Sequence, residues 1–195
     1  MSIVDTYLNG LYQALPAEEL QQLQLSHGAS PTDLQALQAA YPQVPASLLE
    51  LLGRIDGTHY REYPGGEICV LILGSDVFEY PYYLSSVAQI LEEAGKYKDS
   101  IAEIYEAYLD EDPELLGAGI DPQVPMNRRL CFSHCMNNGG TSRLYLDFDP
   151  APGGSVGQVV RFLHDPDSYV VIASSFDEYL QGLIEQNYAF IFEDE

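Results

Sequence analysis

The sequence predicts an α+β fold: a central antiparallel sheet flanked by several N-terminal helices and a C-terminal helix. Three observations point to it. The first third of the chain carries short apolar stripes at helical spacing, punctuated by prolines. Three β-rich runs then follow one another with only turn residues between them, and a capped amphipathic segment closes the chain.

Ile3, Val4, Tyr7, Leu8, Leu11 and Leu15 fall on one helical face, which Pro16 interrupts. A second helix over Ala17 to Leu25 stops near Ser26-His27-Gly28, so residues 1–28 read as a helical extension packed on a single domain spanning 1–195. Ser30-Pro31-Thr32-Asp33 supplies an N-cap, a proline at the first helical position and an acid in the first turn of a helix running to about Tyr41. After Pro42 and Pro45, Leu48, Leu49, Leu52 and Ile55 form the apolar face of the next helix, which ends at Gly57. Glu67 to Leu73 reads as a buried strand between glycines. Val87 to Leu109 reads as one long helix capped by Ser85 or Ser86 and kinked at Gly95, with Val87, Ile90, Leu91, Ala94, Ile101, Ile104, Tyr105 and Tyr108 as its buried stripe.

The strand candidates are Arg129 to Cys135, Arg143 to Phe148 and Gln158 to Leu163. The first two flank MNNGGTS, whose Asn and Gly residues suit a hairpin loop, and PAPGGSVG separates the second and third. Such short connections favour an antiparallel meander. A last strand, Tyr169 to Ala173, leads into Ser175-Phe176-Asp177-Glu178, a capping box ahead of a helix whose inward face carries Phe176, Tyr179, Leu180, Leu183 and Ile184.

Charge bounds the function. The chain has 30 acidic against 8 basic residues, a formal net charge of −22, while 46% apolar residues supply enough core to fold. Such a surface repels phosphate backbones and anionic lipid, which excludes nucleic acid and membranes as expected partners and favours a basic protein. There is no stretch approaching the ~20 apolar residues of a membrane span, and MSIVDTYLNG lacks the basic start and apolar run of a signal peptide, so the expected compartment is the cytoplasm.

The segment from Asp99 to Asp121 concentrates the acids Glu103, Glu106, Asp110, Glu111, Asp112 and Glu114 with no Lys or Arg after Lys98. It is the expected electrostatic contact with a partner. The 15 tyrosines add aromatic anchors, and the stretch with Asp76, Glu79, Tyr82 and Tyr83 is the second expected contact.

Candidates for chemistry are weaker. Cys131, His134 and Cys135, with Cys69 from an earlier strand, are zinc-type ligands without a CxxC half-site, and strand alternation would put the two cysteines on one face and His134 on the other. A Cys/His nucleophile pair lacks a visible orienting group, so packed thiols are the expectation. Asp147 and Asp149 share a strand face as an acid/base or calcium pair would, but Asp before Pro also starts turns. The Gly-Gly pairs open no helix as a phosphate loop would. No cofactor, metal or catalytic residue is therefore expected.

The segments PASLLELLGRIDG, RLCFSHCMNNGGTSRLYLDFDPAPGGSVGQVVRF and VVIASSFDEYLQGLIE, in that order over roughly residues 30 to 185, resemble the SUKH superfamily of yeast cell-wall-synthesis regulators and bacterial toxin-immunity proteins. The chain differs from many relatives in having no tryptophan. The resemblance implies an α+β binding domain without catalysis. It further implies an immunity-type protein neutralising a toxin, often a nuclease, which must itself be basic where it holds phosphate. A regulatory scaffold in cell-envelope or secretion biology is the alternative, and a small hydrolase using Cys135 or Asp147 with Asp149 is the third reading.

Overall fold

The computed structural model describes residues 1–137 and 139–191. Helix α1 (Ile3–Ala14) begins with a reciprocal cap: the Ser2 hydroxyl accepts from the Asp5 N–H, and the Asp5 carboxylate accepts from the Ser2 N–H. Helices α2 (Ala17–Leu23), α3 (Pro31–Ala40) and α4 (Ala46–Leu52) follow, α3 capped by Ser30 with Pro31 at its first turn.

Where one buried strand over Glu67 to Leu73 is expected, the chain forms a small hairpin, β1 (Arg61–Tyr63) with β2 (Gly66–Ile68). Beyond it Val70, Ile72 and Leu73 are buried, but their N–H groups bond to Thr58 and Tyr82, so the segment is tied to loops instead of joining the main sheet. The long helix expected over Val87 to Leu109 is three helices: α5 (Val87–Lys96), α6 (Ile101–Tyr105) and α7 (Tyr108–Glu111). The break lies beyond Gly95. Ser100 starts a new helix with its own capping box to Glu103, as Ser86 does with Gln89 at α5, and Glu106 ends α6 with a positive φ of 48°.

The main sheet contains β3 (Tyr83–Leu84), β4 (Leu130–Asn137), β5 (Gly140–Asp147), β6 (Gln158–Leu163) and β7 (Ser168–Ala173), adjacent in chain order and antiparallel throughout. Between β4 and β5, Gly139 takes φ 82° as a hairpin turn requires, and Asn138 of the expected loop lies outside the described residues. Helix α8 (Phe176–Glu185) ends the fold. Its cap is half the expected box: Ser175 accepts from the Glu178 N–H, but the Glu178 carboxylate turns to the Ser174 hydroxyl.

A bulge between Cys131 and Ser133 leaves Phe132 unpaired in β4. Phe132 and Ser133 therefore both face the main core, and every later residue is displaced by one position of the alternation. Cys135 accordingly belongs to the main core, while Cys131 and His134 share the other side, which reverses the expected grouping of Cys131 with Cys135 against His134.

The sheet separates two hydrophobic cores. The larger one holds Leu130, Phe132, Leu144, Leu146 and Val159 against Leu37, Leu48, Leu52, Val87, Phe176 and Leu180 of the helices. Val4, Tyr7, Leu8 and Leu11 of α1 belong to it, with α1 packed on α8 and α4. The smaller core, on the opposite face, gathers Ile101, Leu115, Ile120 and Met126 over Tyr145, Val160, Phe162 and Tyr169. This second core is what anchors the acidic segment.

Candidate functional site

Helix α6 is pinned to the sheet by Ile101, fully buried, and by Tyr105, whose ring meets Tyr169 edge-on at 6.1 Å and whose hydroxyl donates to Asp167. After α7 the chain returns as an extended strap: the Tyr169 N–H donates to the Leu115 carbonyl at 2.7 Å, and the Gly117 N–H to the Tyr169 carbonyl at 2.8 Å. Between these anchors the segment from Glu106 to Glu114 stands out from the fold. Ile104 and Tyr108, expected in a buried stripe, are 50% and 69% exposed there because the break at Ser100 rotates them outward.

The expected acids divide by their local partners. Glu103 is committed to the Ser100 cap, and those hydrogen bonds hold its carboxyl below the ordinary glutamate range. Asp112 accepts from the Glu114 N–H in a turn. Among the described residues no ion pair reaches Glu106, Asp110, Glu111 or Glu114, all exposed. The segment thus presents free carboxylates beside Ile104 and Tyr108, apolar neighbours that sequence periodicity concealed.

The strap that follows is held from below by a buried ion pair. Arg129 and Asp147 are both fully buried with Nε 3.4 Å from Oδ1, and the arginine's other nitrogens donate to the carbonyls of Val124 (2.9 Å) and Asp121 (2.7 Å). Gln158 donates to the second Asp147 oxygen and to the Gly119 carbonyl. Asp149 in turn bonds Arg128 at 3.0 Å. The Asp147 and Asp149 pair is thereby divided between two adjacent arginines, one inside and one outside.

The second expected contact is partly corrected. Tyr82 is fully buried, because its backbone bridges to Leu73 and its ring enters the main core, so it offers no surface. Asp76 is exposed but forms a two-pronged ion pair with Arg161 at 2.5 and 2.9 Å. Glu79 is exposed. Tyr83 is half-buried, accepts a bond from the Cys69 thiol at 3.5 Å and packs against His59 and His134. Tyr83 sits at the β3 edge of the sheet and the acidic segment near β7, so the structure does not bring them together.

Beside Tyr83, a pocket of about 290 Å³ is lined by His134, Cys131, Arg143, Glu93, Ser85 and Gln89 among others. Burial and the neighbouring His59 hold the His134 ring neutral, with its pKa down to about 4, and burial pushes the Cys131 thiol up to about 12 and Cys135 to about 11. Neither thiol is activated as a nucleophile needs. Among the described residues no group of three or more His, Cys, Asp or Glu is placed to hold a metal ion, and no helix is long and apolar enough to cross a membrane.

The family model for SMI1 / KNR4 (SUKH-1) matches residues 28–182, from just before α3 into α8. The chain belongs to the SMI1 / KNR4 family (SUKH-1). Helices α1 and α2 precede the matched stretch, yet α1 completes the main core of this SUKH-1 member. A comparison with curated proteins found no match.

Proposed function

We propose that this SUKH-1 protein works by binding a basic protein, as an immunity-type partner that occludes a toxin domain of the nuclease kind in the cytoplasm. The observation that carries the reading is the outlying segment of free carboxylates Glu106, Asp110, Glu111 and Glu114 with Ile104 and Tyr108 exposed beside them. Long-range attraction from the acids accelerates encounter, and the aromatic and aliphatic side chains supply area to desolvate. The same charge disfavours nucleic acid and anionic lipid as direct ligands. The structural commitments of Asp147, Asp149 and Cys135 support binding over hydrolysis.

Co-expression with the product of the adjacent gene tests it. The wild-type chain is expected to bind and protect. Lysine at Glu106, Asp110 and Glu111 together is expected to slow association about tenfold or more at low salt, and Tyr108→Ala to speed dissociation. If no neighbouring product is bound or neutralised, the immunity reading fails. Capture of a host protein in a strain without any toxin locus would favour a regulatory scaffold instead.

A further inference from the structure

Strand β7 ends the five-stranded sheet, and its outer side is only partly covered. The strap takes both outward groups of Tyr169, leaving Leu116 bridged in parallel to it. Backbone groups alternate sides along a strand, so the N–H and C=O of Val171 point outward as those of Tyr169 do. Among the described residues no segment pairs with β7 at Val171. The strand SYVVIA lacks the lysine or proline that usually protects an open edge, and Val170 to Ala173 are all half-exposed. A bulge opposite Val159 and Val160 ends the accessible stretch at Ile172, so the open edge is short.

The exposed flanks of this edge are mainly acidic, although Asp167 is shared with the Tyr105 hydroxyl and the His164 ring. Glu114 lies immediately before the strap, Asp167 stands at the start of the strand, and Glu178 shares a shallow groove with Ile172 on the α8 side. The cation beneath the strand, Arg161, is buried and held by Asp76 and Ser168. A second copy of this chain would bring like-charged flanks together, whereas a lysine- or arginine-bearing segment would meet acids on both sides.

We infer that the β7 edge receives an extended basic segment of the protein partner as an added strand, with Val171 making the central backbone bonds beside the strap at Leu115–Gly117. The chemistry of the occupant rests on the basic-partner reading above. The backbone edge does not.

The test uses the full chain and two blocked seven-residue peptides of alternating lysine and valine, one of them N-methylated at each central residue. Methylation keeps charge and side chains but removes the donors. The unmethylated peptide is expected to slow hydrogen exchange at the Val171 amide and to bind about tenfold tighter than its twin. Equal binding of the two, peptide-induced shifts confined to Glu106–Glu111, or self-association through Val171 without peptide would each overturn the inference. Val171→Pro removes the outward donor without touching a bond inside the sheet. A folded Val171→Pro chain that captures the natural partner normally would also overturn it while leaving the partner reading intact. Failure of any gene neighbour to bind the wild type would sink that reading and leave the peptide result standing.

Discussion

At the scale of single residues, the fold depends on charges that sequence inspection cannot pair. Asp147 and Asp149 are legible as a strand end entering a turn, and that is their local role. Their partners Arg128 and Arg129 lie in the turn just before β4 and Gln158 opens β6, and nothing in the spacing of the sequence pairs them. Asp147→Ala would leave the Arg129 guanidinium buried without a counter-charge, and a loss of about 3–5 kcal/mol in urea denaturation is expected. Asp149→Ala, at the exposed pair, should cost at most about 1 kcal/mol. His134 makes a pH prediction with a definite sign. Its folded pKa of about 4 lies below the unfolded value near 6.5, so the unfolded chain binds the extra proton first. The stabilisation from a neutral His134 is complete above about pH 6.5 and is lost as pH falls toward 4, by about 2–3 kcal/mol. His59, Arg143 and Glu93 face the same ring and pocket, and the capping carboxylates Asp5 and Glu103 also weaken in acid. The check is therefore the difference between wild type and His134→Gln across that window: a parallel pair of stability curves would contradict it.

At the scale of elements, most of the architecture was readable. The meander from β4 to β7 and helix α8 sit within three residues of their expected bounds, because alternation, turn glycines and a serine cap all agree there. Agreement failed where two local signals competed. The apolar stripe from Val87 to Tyr108 suggests one helix, while Ser100-Ile-Ala-Glu103 is a capping box as clear as Ser86 with Gln89; the cap prevailed because Ile101 enters the second core. The bulge at Phe132 had no signal, since Cys-Phe-Ser-His-Cys reads the same with or without it. Ser100→Ala should cost about 1 kcal/mol and act locally, raising amide exchange in α6 before the rest of the fold. Helix α1 gives the opposite expectation. Although it lies outside the matched family stretch, Leu11 is fully buried, and the Tyr7 carbonyl accepts from Tyr188 at 2.8 Å. Leu11→Ala should lower global stability by about 2–5 kcal/mol, and removing residues 1–28 should leave a chain that does not fold to the native exchange pattern.

At the scale of the whole molecule, a formal charge of −22 opposes compaction, and the second core is the smaller one on which the most acidic segment rests. Salt should therefore stabilise this protein. Raising sodium chloride from about 10 mM to 1 M shortens the screening length from about 30 to 3 Å, and a rise in Tm of several degrees is expected by calorimetry. A fall would mean that its ion pairs outweigh its self-repulsion. The same titration applied to a complex separates steering from contact, since association should slow while dissociation changes little. Composition disclosed this property at once. Which acids remain free could be learned only from the folded chain.

The segment between Tyr105 and Leu115 has secure moorings at both ends and little burial in between. A protease that cuts after Tyr108 or Glu111 should therefore nick the chain without dismantling it. The N-terminal fragment keeps Ile101 and the Tyr105 contacts, and the C-terminal fragment keeps the strap on Tyr169 and the Arg129 bonds. Two pieces that co-migrate on a sizing column and separate only in denaturant are the expected product, and a bound partner lying over the segment would be visible as protection from the first cut.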